Sequence, residues 1–212
     1  MFRSFAVLKR NYDTIAWFYD RLAGLVFGRT LVNAQLYLVS SIPAGSRILI
    51  VGGGTGWILE KIAAQHPSGL KITYIDASAK MIALAVKRKC GDNHVLFIAQ
   101  GIETVMLAGA FDVVITPFLF DNFTDNSLRK IFADIDSLLK TKGLWLYCDF
   151  QNTTVLWQRA VLRVMYWFFR GSCGIEATHL PDAKACFAEH GYIVMSRRDF
   201  MNGFVTAVMY NK

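Results

Sequence analysis

A short run of glycines between an apolar strand and a helix constrains this chain more than any other feature of its sequence. Residues 47–51 (RILIV) have the β-branched, apolar character of a buried strand, and Gly52, Gly54 and Gly56 follow at once. A helical pattern of apolar residues begins directly after Gly56. Because glycine has no Cβ, such a turn lets a ligand approach backbone N–H groups at the start of a helix. The sequence therefore predicts a ligand-binding turn at the end of this strand.

An aspartate stands at the matching place on the next predicted strand. Asp76 follows the apolar run at residues 71–75 and lies twenty residues beyond Gly56. A carboxylate at this point of an α/β sheet can accept hydrogen bonds from both hydroxyls of a ribose. The alternative is that the glycines form an ordinary turn and that Asp76 caps the following helix. The order of turn, strand ends and acid favours a nucleoside ligand.

The glycine spacing argues against two other nucleotide sites. The turn reads G-x-G-x-G, whereas a dinucleotide fingerprint reads G-x-G-x-x-G and needs a small residue where this chain has Trp57. An indole at that position disfavours a nicotinamide-dependent reductase. The chain also lacks the G-x-x-x-x-G-K-[ST] motif of nucleoside triphosphatases.

Beyond the first strand, apolar runs alternate with helical patterns, which is typical of a parallel sheet with crossover helices. The last two apolar runs flank Asn202-Gly203, a dipeptide that indicates a hairpin. We predict an α/β fold whose seven-stranded, mostly parallel sheet ends in an antiparallel hairpin. A short, weakly patterned helix is expected between the third and fourth strands. The predicted strands cover residues 47–51, 71–75, 95–99, 111–116, 144–149, 192–199 and 204–210.

Four segments resemble the successive motifs of the class I S-adenosylmethionine-dependent methyltransferases. They are ILIVGGGTGWIL, YIDASAKMI, FDVVITPFLFDNF and GLWLYCDF, at residues 48–59, 74–82, 111–123 and 143–150. The resemblance covers about residues 10–210. It implies a Rossmann-like fold, S-adenosylmethionine as the cofactor and methyl transfer to a small molecule. Residues 11–28 are similar to the lead-in helix of small-molecule members, including the quinone-biosynthesis C-methyltransferases.

The resemblance also assigns residues to the cofactor. It implies that the glycine turn holds the methionine part, that Asp76 holds the ribose and that Met81 packs on the adenine. Gly101 and Ile102 would lie at the edge of the adenine, and residues 116–118 would form the floor near the sulfonium. The cofactor-binding residues implied in this way are Gly52, Gly53, Gly54, Thr55, Gly56, Asp76, Ala77, Met81, Gly101, Ile102, Thr116 and Tyr12.

Two positions depart from the family pattern. Ile50 stands where many relatives carry an acid before the first glycine, and Ile102 stands where an acid often meets the adenine amino group. Both changes remove polar contacts to the cofactor. They keep open a second function, in which a methyltransferase fold serves as a non-catalytic binder or partner subunit.

The chain is expected to form a single domain, because 212 residues suffice for one α/β core. Its predicted parts are an N-terminal helical lid (1–45), a cofactor-binding core (46–150), a substrate-side cap (151–180) and the last helix with its hairpin (181–212). The four cysteines have neither metal-site nor disulfide spacing. We therefore expect no metal and a reducing, cytoplasmic environment.

Candidates for catalysis lie in the lid and after the fourth strand. Tyr12 and Tyr19 are seven residues apart, so a continuous helix would place both over the cofactor. Methyl transfer needs a base only if the acceptor must lose a proton. Asp121 is our candidate base, with His179 as another and Tyr19 as a residue that orients the acceptor; each also has an ordinary structural explanation.

The segment at residues 155–170 (VLWQRAVLRVMYWFFR) predicts an unusual amphipathic helix in the cap. Arg159, Arg163 and Arg170 share a narrow arc, and large apolar residues cover most of the rest. The apolar side could pack on the core or a second copy, on a lipophilic acceptor, or on an anionic membrane surface. The chain is consistent with a monomer or homodimer.

A net charge of +7 does not by itself decide between partners. Amino-methylating DNA enzymes carry a [DNS]-P-P-[YF] signature, but the corresponding stretch, residues 116–119, reads TPFL. No basic and aromatic RNA-binding module is present either. We therefore expect no nucleic acid partner and predict O- or C-methylation of a small hydrophobic or aromatic acceptor.

Overall fold

The computed structural model describes residues 12–14, 16–17, 19–107 and 109–212, apart from the side chains of residues 14, 19 and 20. Within these ranges seven strands form one sheet in the order β3-β2-β1-β4-β5-β7-β6. The strands are β1 (Arg47–Val51), β2 (Ser68–Asp76), β3 (Asp92–Ala99), β4 (Phe111–Pro117), β5 (Leu139–Phe150), β6 (Ile193–Phe200) and β7 (Val205–Asn211). Strands β1 to β5 pair in parallel, and β7 is antiparallel to both β5 and β6. The predicted α/β fold with a C-terminal hairpin is confirmed.

Helices cover both faces of this sheet. They are α1 (Tyr19–Phe27), α2 (Thr30–Val39), α3 (Trp57–Gln65), α4 (Ala79–Ala85), α5 (Asp125–Leu138), α6 (Leu156–Cys173) and α7 (Ala183–Glu189). Helix α4 is capped by Ser78, whose hydroxyl accepts a hydrogen bond from the Met81 N–H. In the described part of the chain, no single helix is long and apolar enough to cross a bilayer. The helical segments Arg21–Phe27 and Thr30–Val39, which are bent by 101° relative to each other, reach the required length and apolar composition only when they are taken together.

Alternating side chains of the central strand β1 enter two separate cores. Ile48 and Ile50 of β1 pack among α2, α3 and α4, whereas Leu49 and Val51 face the side covered by α5 and α7. Because both faces are covered, β1 is apolar at every position from Ile48 to Val51. The α5 side is rich in aromatic pairs, such as Phe132 stacked on Trp145 at 4.7 Å between ring centroids.

The strand order reverses beside β1, and this reversal positions the candidate site. Strand β1 pairs with β2 on one side and with β4 on the other, while the crossover helices leave toward opposite faces. Ligands bind at such a switch point, outside the carboxyl ends of the strands. The register sets Val51 beside Ile75, so the glycine turn and Asp76 emerge together.

Three sequence predictions differ from the structure. Strand β5 begins at Leu139, directly after α5, and not at the predicted residue 144. Leu139 is already extended and pairs with Phe111, and a register shift separates this pair from the pairing of Leu144 with Val113. The expected helix between β3 and β4 is a 3₁₀ turn at Ile102–Thr104. The lead-in helix is interrupted, with a 3₁₀ turn at Tyr12–Thr14 and a turn at residues 16–17 before α1. Tyr12 and Tyr19 therefore do not share the face of one continuous helix.

The described start of the lid is fixed to α4. The Asp13 carboxylate accepts hydrogen bonds from the Ser78 hydroxyl at 2.5 Å and from the Lys80 N–H at 3.1 Å. The bond from Ser78 is the main reason that the pKa of Asp13 is lowered. The first turn of the lid is thus attached to the helix that follows Asp76. Residues 1–11 of the predicted lid lie outside the described residues.

Candidate functional site

A cavity of about 800 Å³ opens at the carboxyl ends of β1, β2 and β4. One wall is the glycine turn with Asp76, and the opposite wall comes from α1, α2 and α6. The volume lies in the upper part of the range of about 300–1,000 Å³ that ligand pockets occupy. The cavity therefore coincides with the switch point that the sheet topology defines.

The conformation of the turn requires glycine at several positions. Gly52, Gly54 and Gly56 have φ of 70°, 64° and 79°, a region that side chains disfavour. A Cβ added at Gly52 would lie 2.7 Å from Leu119 Cδ1, and one at Gly56 would lie 2.6 Å from Ala85 Cα. Gly56 thus permits close packing of α3 on α4 and does not line the cavity, so its role is in packing.

The ring of Tyr74 supports the turn from below. A Cβ added at Gly53 would lie 2.2 Å from Tyr74 Cζ, whereas one at Gly54 would have no atom within 4 Å. The Tyr74 hydroxyl donates a hydrogen bond to the Gly54 carbonyl at 3.1 Å. Gly54 therefore presents open space to the cavity, while Gly53 is held against a fully buried aromatic ring.

The Asp76 carboxylate lies at the edge of the cavity and is almost fully buried. One oxygen accepts a hydrogen bond from the Gly54 N–H at 2.8 Å, and the other accepts from the Ser78 N–H at 2.9 Å. Burial raises the pKa of Asp76, although these two N–H groups act in the opposite direction. A carboxylate has about four lone-pair sites, so each oxygen can accept a further hydroxyl donor.

The residues expected around an adenine are brought together by the fold. Ala77, Met81, Gly101 and Ile102 all line the same end of the cavity. The sequence prediction missed Glu103, which also lines it and whose Oε2 would be 2.6 Å from a Cβ at Gly101. An acid is therefore present one position after the place at which the family pattern expects it.

Besides Gly56, two predicted residues lie away from the cavity. Thr116 is fully buried, and its hydroxyl accepts a hydrogen bond from the Trp145 indole N–H at 2.9 Å, so its side chain faces the α5 side of the sheet. His179 is exposed, and its Nε2 lies 2.9 Å from Asp125 Oδ2. Pro117 and Phe118 do line the cavity, as expected for its floor.

Asp121 lines the cavity and belongs to a pair of carboxyl groups. Its partner, Asp149 at the end of β5, is fully buried and was not predicted from the sequence. Asp149 accepts hydrogen bonds from the N–H groups of Phe120 (3.0 Å), Asp121 (3.4 Å) and Phe150 (2.8 Å). It therefore fixes the 3₁₀ turn that carries Asp121.

The two carboxyl groups influence each other's ionisation. Burial, and then the nearby Asp149 carboxylate, raise the pKa of Asp121 well above its ordinary value. Burial also raises the pKa of Asp149, to about 7, against the effect of its three N–H donors. The pair consequently retains a proton into the neutral range, which suits a group that exchanges a proton with a ligand.

A hydrogen-bond network connects the lid to Asp121. Tyr12 donates to the Asn122 side-chain oxygen, and the Asn122 amide donates to Asp121 Oδ1 at 2.7 Å. The Tyr12 ring also packs near Phe169 of α6, with 6.0 Å between centroids. The side chain of Tyr19, the other predicted lid residue, lies outside the described residues.

The remainder of the cavity is mainly apolar. Its wall includes Phe27 of α1, Leu31 of α2 and Phe118, which has an unusual φ of 51°. Gln35 of α2 also lines this part, and its amide makes no hydrogen bond to any described residue. The arrangement can hold an apolar molecule between the glycine turn and α6, with a few polar groups to orient it.

The bulky residue beside the turn does not close it. Trp57 is half-buried, lines the cavity and packs beneath Lys61 Nζ, which lies 5.2 Å from its ring centroid. Ile50 is fully buried among the apolar residues beneath α2 and α3. Among the described residues, no three His, Cys, Asp or Glu side chains form a group suited to a metal ion.

Comparison with known proteins gives consistent matches. Residues 48–143 match a family model described as a methyltransferase domain. Over 150 residues the chain is 33% identical to the malonyl-(acyl-carrier protein) O-methyltransferase of Bacillus cytotoxicus, covering 70% of this chain and 51% of the relative. Over 168 residues it is 26% identical to a ubiquinone/menaquinone biosynthesis C-methyltransferase of Geotalea uraniireducens, covering 76% and 69%. The chain spans about half the length of the first curated relatives it matches.

A solved structure supports the fold. The magnesium protoporphyrin IX methyltransferase of Synechocystis, with bound S-adenosylhomocysteine, aligns with a TM-score of 0.69 at 17% identity. The alignment covers 96% of this chain and 97% of the other. At this level of identity the likeness concerns the fold.

Proposed function

We propose, because this chain belongs to the class I S-adenosylmethionine-dependent methyltransferases, that it methylates an oxygen or carbon atom of a small, apolar acceptor. The observation that carries the proposal is the continuity of the cavity. It extends from the glycine turn and Asp76 to an apolar wall formed by α1, α2 and α6. A polar cofactor and a lipophilic acceptor would therefore share one chamber.

The residues present fit the cofactor. Gly54 leaves open space above the turn, and Asp76 offers one remaining lone pair on each oxygen to a ribose diol. Met81 and Ile102 provide apolar surface for an adenine, and the Glu103 carboxylate lies at its expected edge. When bound, S-adenosylmethionine supplies a methyl group on a positively charged sulfur.

The chain's own part in the reaction is mainly to bind and orient. Displacement at a methyl group is accelerated when both reactants are held in line, so the walls of the cavity contribute by positioning. We assign Asp121 as the base that accepts a proton from the acceptor, because it reaches the cavity and its carboxyl pair titrates near neutrality. Tyr12 and Asn122 orient Asp121 through their hydrogen bonds. Tyr19 remains a candidate for orienting the acceptor.

The acceptor that fits best is aromatic or carries a prenyl-like chain. Phe27, Phe118 and Phe150 line the acceptor end, and aromatic faces of this kind pack well against a planar ring. The relatives named above are, by name, an O-methyltransferase for malonyl-(acyl-carrier protein) and a C-methyltransferase of ubiquinone/menaquinone biosynthesis. Their names support a small acceptor and leave both O- and C-methylation as proposals for this chain.

A non-catalytic binding role is the second candidate. It is favoured by Ile50 and Ile102, which replace two acids of the family pattern and are both buried in the cores. Calorimetry distinguishes the two roles, because an enzyme must bind both S-adenosylmethionine and S-adenosylhomocysteine. A scaffold that has lost the cofactor would bind neither.

The methyl-transfer proposal is tested with labelled S-adenosylmethionine and two acceptor mixtures, a lipid extract and a set of water-soluble phenols. We expect label in lipophilic products and a loss of turnover in Asp121→Asn. Asp125→Asn is the matched control, because Asp125 is exposed and its carboxylate bonds to His179 away from the cavity. Absence of transfer, together with no binding of S-adenosylmethionine or S-adenosylhomocysteine, would support the scaffold instead.

A further inference from the structure

The outer face of α6 is apolar where an ordinary surface helix is polar. Leu156, Val164 and Trp167 are 79%, 64% and 79% exposed. At about 100° per residue these three side chains fall within an arc of roughly 80° on the helix. Leu25 of α1 is 85% exposed as well. Large apolar side chains grouped in this way on a surface mark an interaction site.

Arginines border this apolar face. Arg159, Arg163 and Arg170 are exposed and occupy an arc of roughly 40° that adjoins the apolar arc. The sequence of α6 contains no acidic residue, and none of the three arginines forms an ion pair with a described residue. Near α1, Leu25 likewise lies between the exposed Arg21 of that helix and the exposed Arg29, which directly precedes α2. Both regions therefore combine exposed positive charge with exposed apolar groups.

The same face surrounds the mouth of the cavity. Val26 of α1 and both Val164 and Trp167 of α6 are exposed, yet they also line the cavity. Tryptophan with arginine and aliphatic side chains is the composition that settles at the boundary between lipid headgroups and acyl chains, where arginine can extend toward the phosphates. The arginines of α6 have no acid within the helix and lie beside its exposed apolar side chains, so a surface that offers both phosphates and acyl chains complements this face.

We infer that the face formed by α1 and α6 docks on an anionic lipid bilayer, with the cavity mouth toward the membrane. The apolar side chains enter the headgroup boundary, and the arginines contact lipid phosphates. An acceptor dissolved in the bilayer would then reach the cavity without crossing water. This last consequence depends on the proposed function, whereas the docking itself does not.

The test is sedimentation of the whole chain with phosphatidylcholine vesicles, made with and without phosphatidylglycerol. Binding should require phosphatidylglycerol and weaken with added salt, because each arginine near an anionic surface contributes about fivefold in affinity. Leu156→Glu should weaken binding by about tenfold, since an exposed leucine that enters the bilayer is replaced by a charge. Neither Leu156 nor Leu25 lines the cavity, so Leu25→Glu is a second variant with the same expectation.

Ile193→Glu on β6 is the matched control, because Ile193 is 64% exposed but lies on a different element. It should bind vesicles like the unmodified chain. Equal binding to both kinds of vesicle, or to neither, would overturn the inference. If the chain is instead a dimer that Leu156→Glu dissociates, the face belongs to a second copy. If the chain is a monomer and Leu156→Glu lowers its melting temperature while Ile193→Glu does not, then another part of the same chain covers the apolar face of α6, and the inference fails. Vesicle binding is measured without methyl donor, so its failure leaves the methyl-transfer proposal intact.

Discussion

Replacing Gly53 by alanine tests how the ligand-binding turn is supported. The added Cβ would lie 2.2 Å from Cζ and 2.3 Å from the hydroxyl oxygen of Tyr74, well inside ordinary contact distance. Tyr74 is fully buried beneath the turn, and its ring lies 5.5 Å from that of Phe97. The ring therefore has little room to move, and the turn itself must shift toward the cavity.

The size of the effect follows from these contacts. Overpacking in a filled core costs about 1–3 kcal/mol. A shifted turn also loses the bond from Tyr74 to the Gly54 carbonyl, worth about 1 kcal/mol. We therefore expect Gly53→Ala to lower the free energy of unfolding by about 2–4 kcal/mol. Binding of S-adenosylhomocysteine should weaken by at least about tenfold, which corresponds to about 1.4 kcal/mol.

Urea unfolding and isothermal calorimetry measure the two quantities. Gly171→Ala in α6 is the control, because a Cβ there meets no atom within 4 Å, and alanine in a helix should stabilise the chain by about 0.5–1 kcal/mol. Adding Tyr74→Leu to Gly53→Ala should restore part of the lost affinity by removing the ring. Unchanged stability and affinity in Gly53→Ala would show that Tyr74 does not support the turn.

Four further predictions concern charged side chains and backbone strain. Asp149→Asn removes the negative charge that raises the pKa of Asp121, so the rising limb of kcat/KM against pH should move to lower pH; an unmoved profile would exclude the coupling. In the unmodified chain the pKa of Asp149 is raised from 3.8 to about 7, so the folded state retains a proton that the unfolded state releases. Asp149 should accordingly contribute a fall in the free energy of unfolding as pH rises across this window, of at most about 1.4 kcal/mol per pH unit, and the total slope should flatten in Asp149→Asn; urea titrations at several pH values decide this. Glu103→Gln should weaken S-adenosylhomocysteine binding several-fold without changing the melting temperature of the free chain, and equal affinity would remove Glu103 from the adenine site. Lys142 has a φ of 63°, which is strained for a residue with a side chain, and its side chain is exposed. Lys142→Gly should therefore raise the free energy of unfolding by about 1 kcal/mol; a lower free energy of unfolding in urea would show that the backbone at this position is not strained.

The sequence predicts the cofactor end of the site better than the acceptor end. The turn at Gly52 and the acid at Asp76 are local signals, because each lies at the end of a buried strand whose apolar pattern is clear. Once β1 and β2 pair in parallel, the glycine turn and Asp76 necessarily lie side by side at the carboxyl ends of the two strands. The C-terminal hairpin is predictable for the same reason, since Asn202 and Gly203 both adopt the positive φ, 55° and 82°, that this dipeptide favours.

The carboxyl pair could not be predicted in this way. Asp149 lies on β5, and its effect on Asp121 depends on the pairing of β4 with β5 and on the 3₁₀ turn between β4 and α5. Such tertiary contacts leave no periodic signal in the sequence. Thr116 illustrates the opposite case, in which family position suggested a cofactor contact but strand alternation turns its side chain to the other face of the sheet.

Break points between elements were the least predictable part of the fold. The lead-in segment has continuous helical periodicity, yet the structure divides it between a 3₁₀ turn at Tyr12–Thr14 and α1. Asp13 explains the division, because its carboxylate bonds to Ser78 and Lys80 at the start of α4 and holds the first turn there. A contact 65 residues away thus overrides the local pattern.

The most direct test of the account is calorimetric titration of S-adenosylhomocysteine into the chain and into Asp76→Asn. The unmodified chain should bind one molecule per chain. Asp76→Asn should weaken this binding by about tenfold or more, because the amide presents two donors where the ribose hydroxyls need acceptors. Absence of binding to the unmodified chain, or equal affinity in both proteins, would contradict the assignment of the glycine turn and Asp76 as the cofactor site.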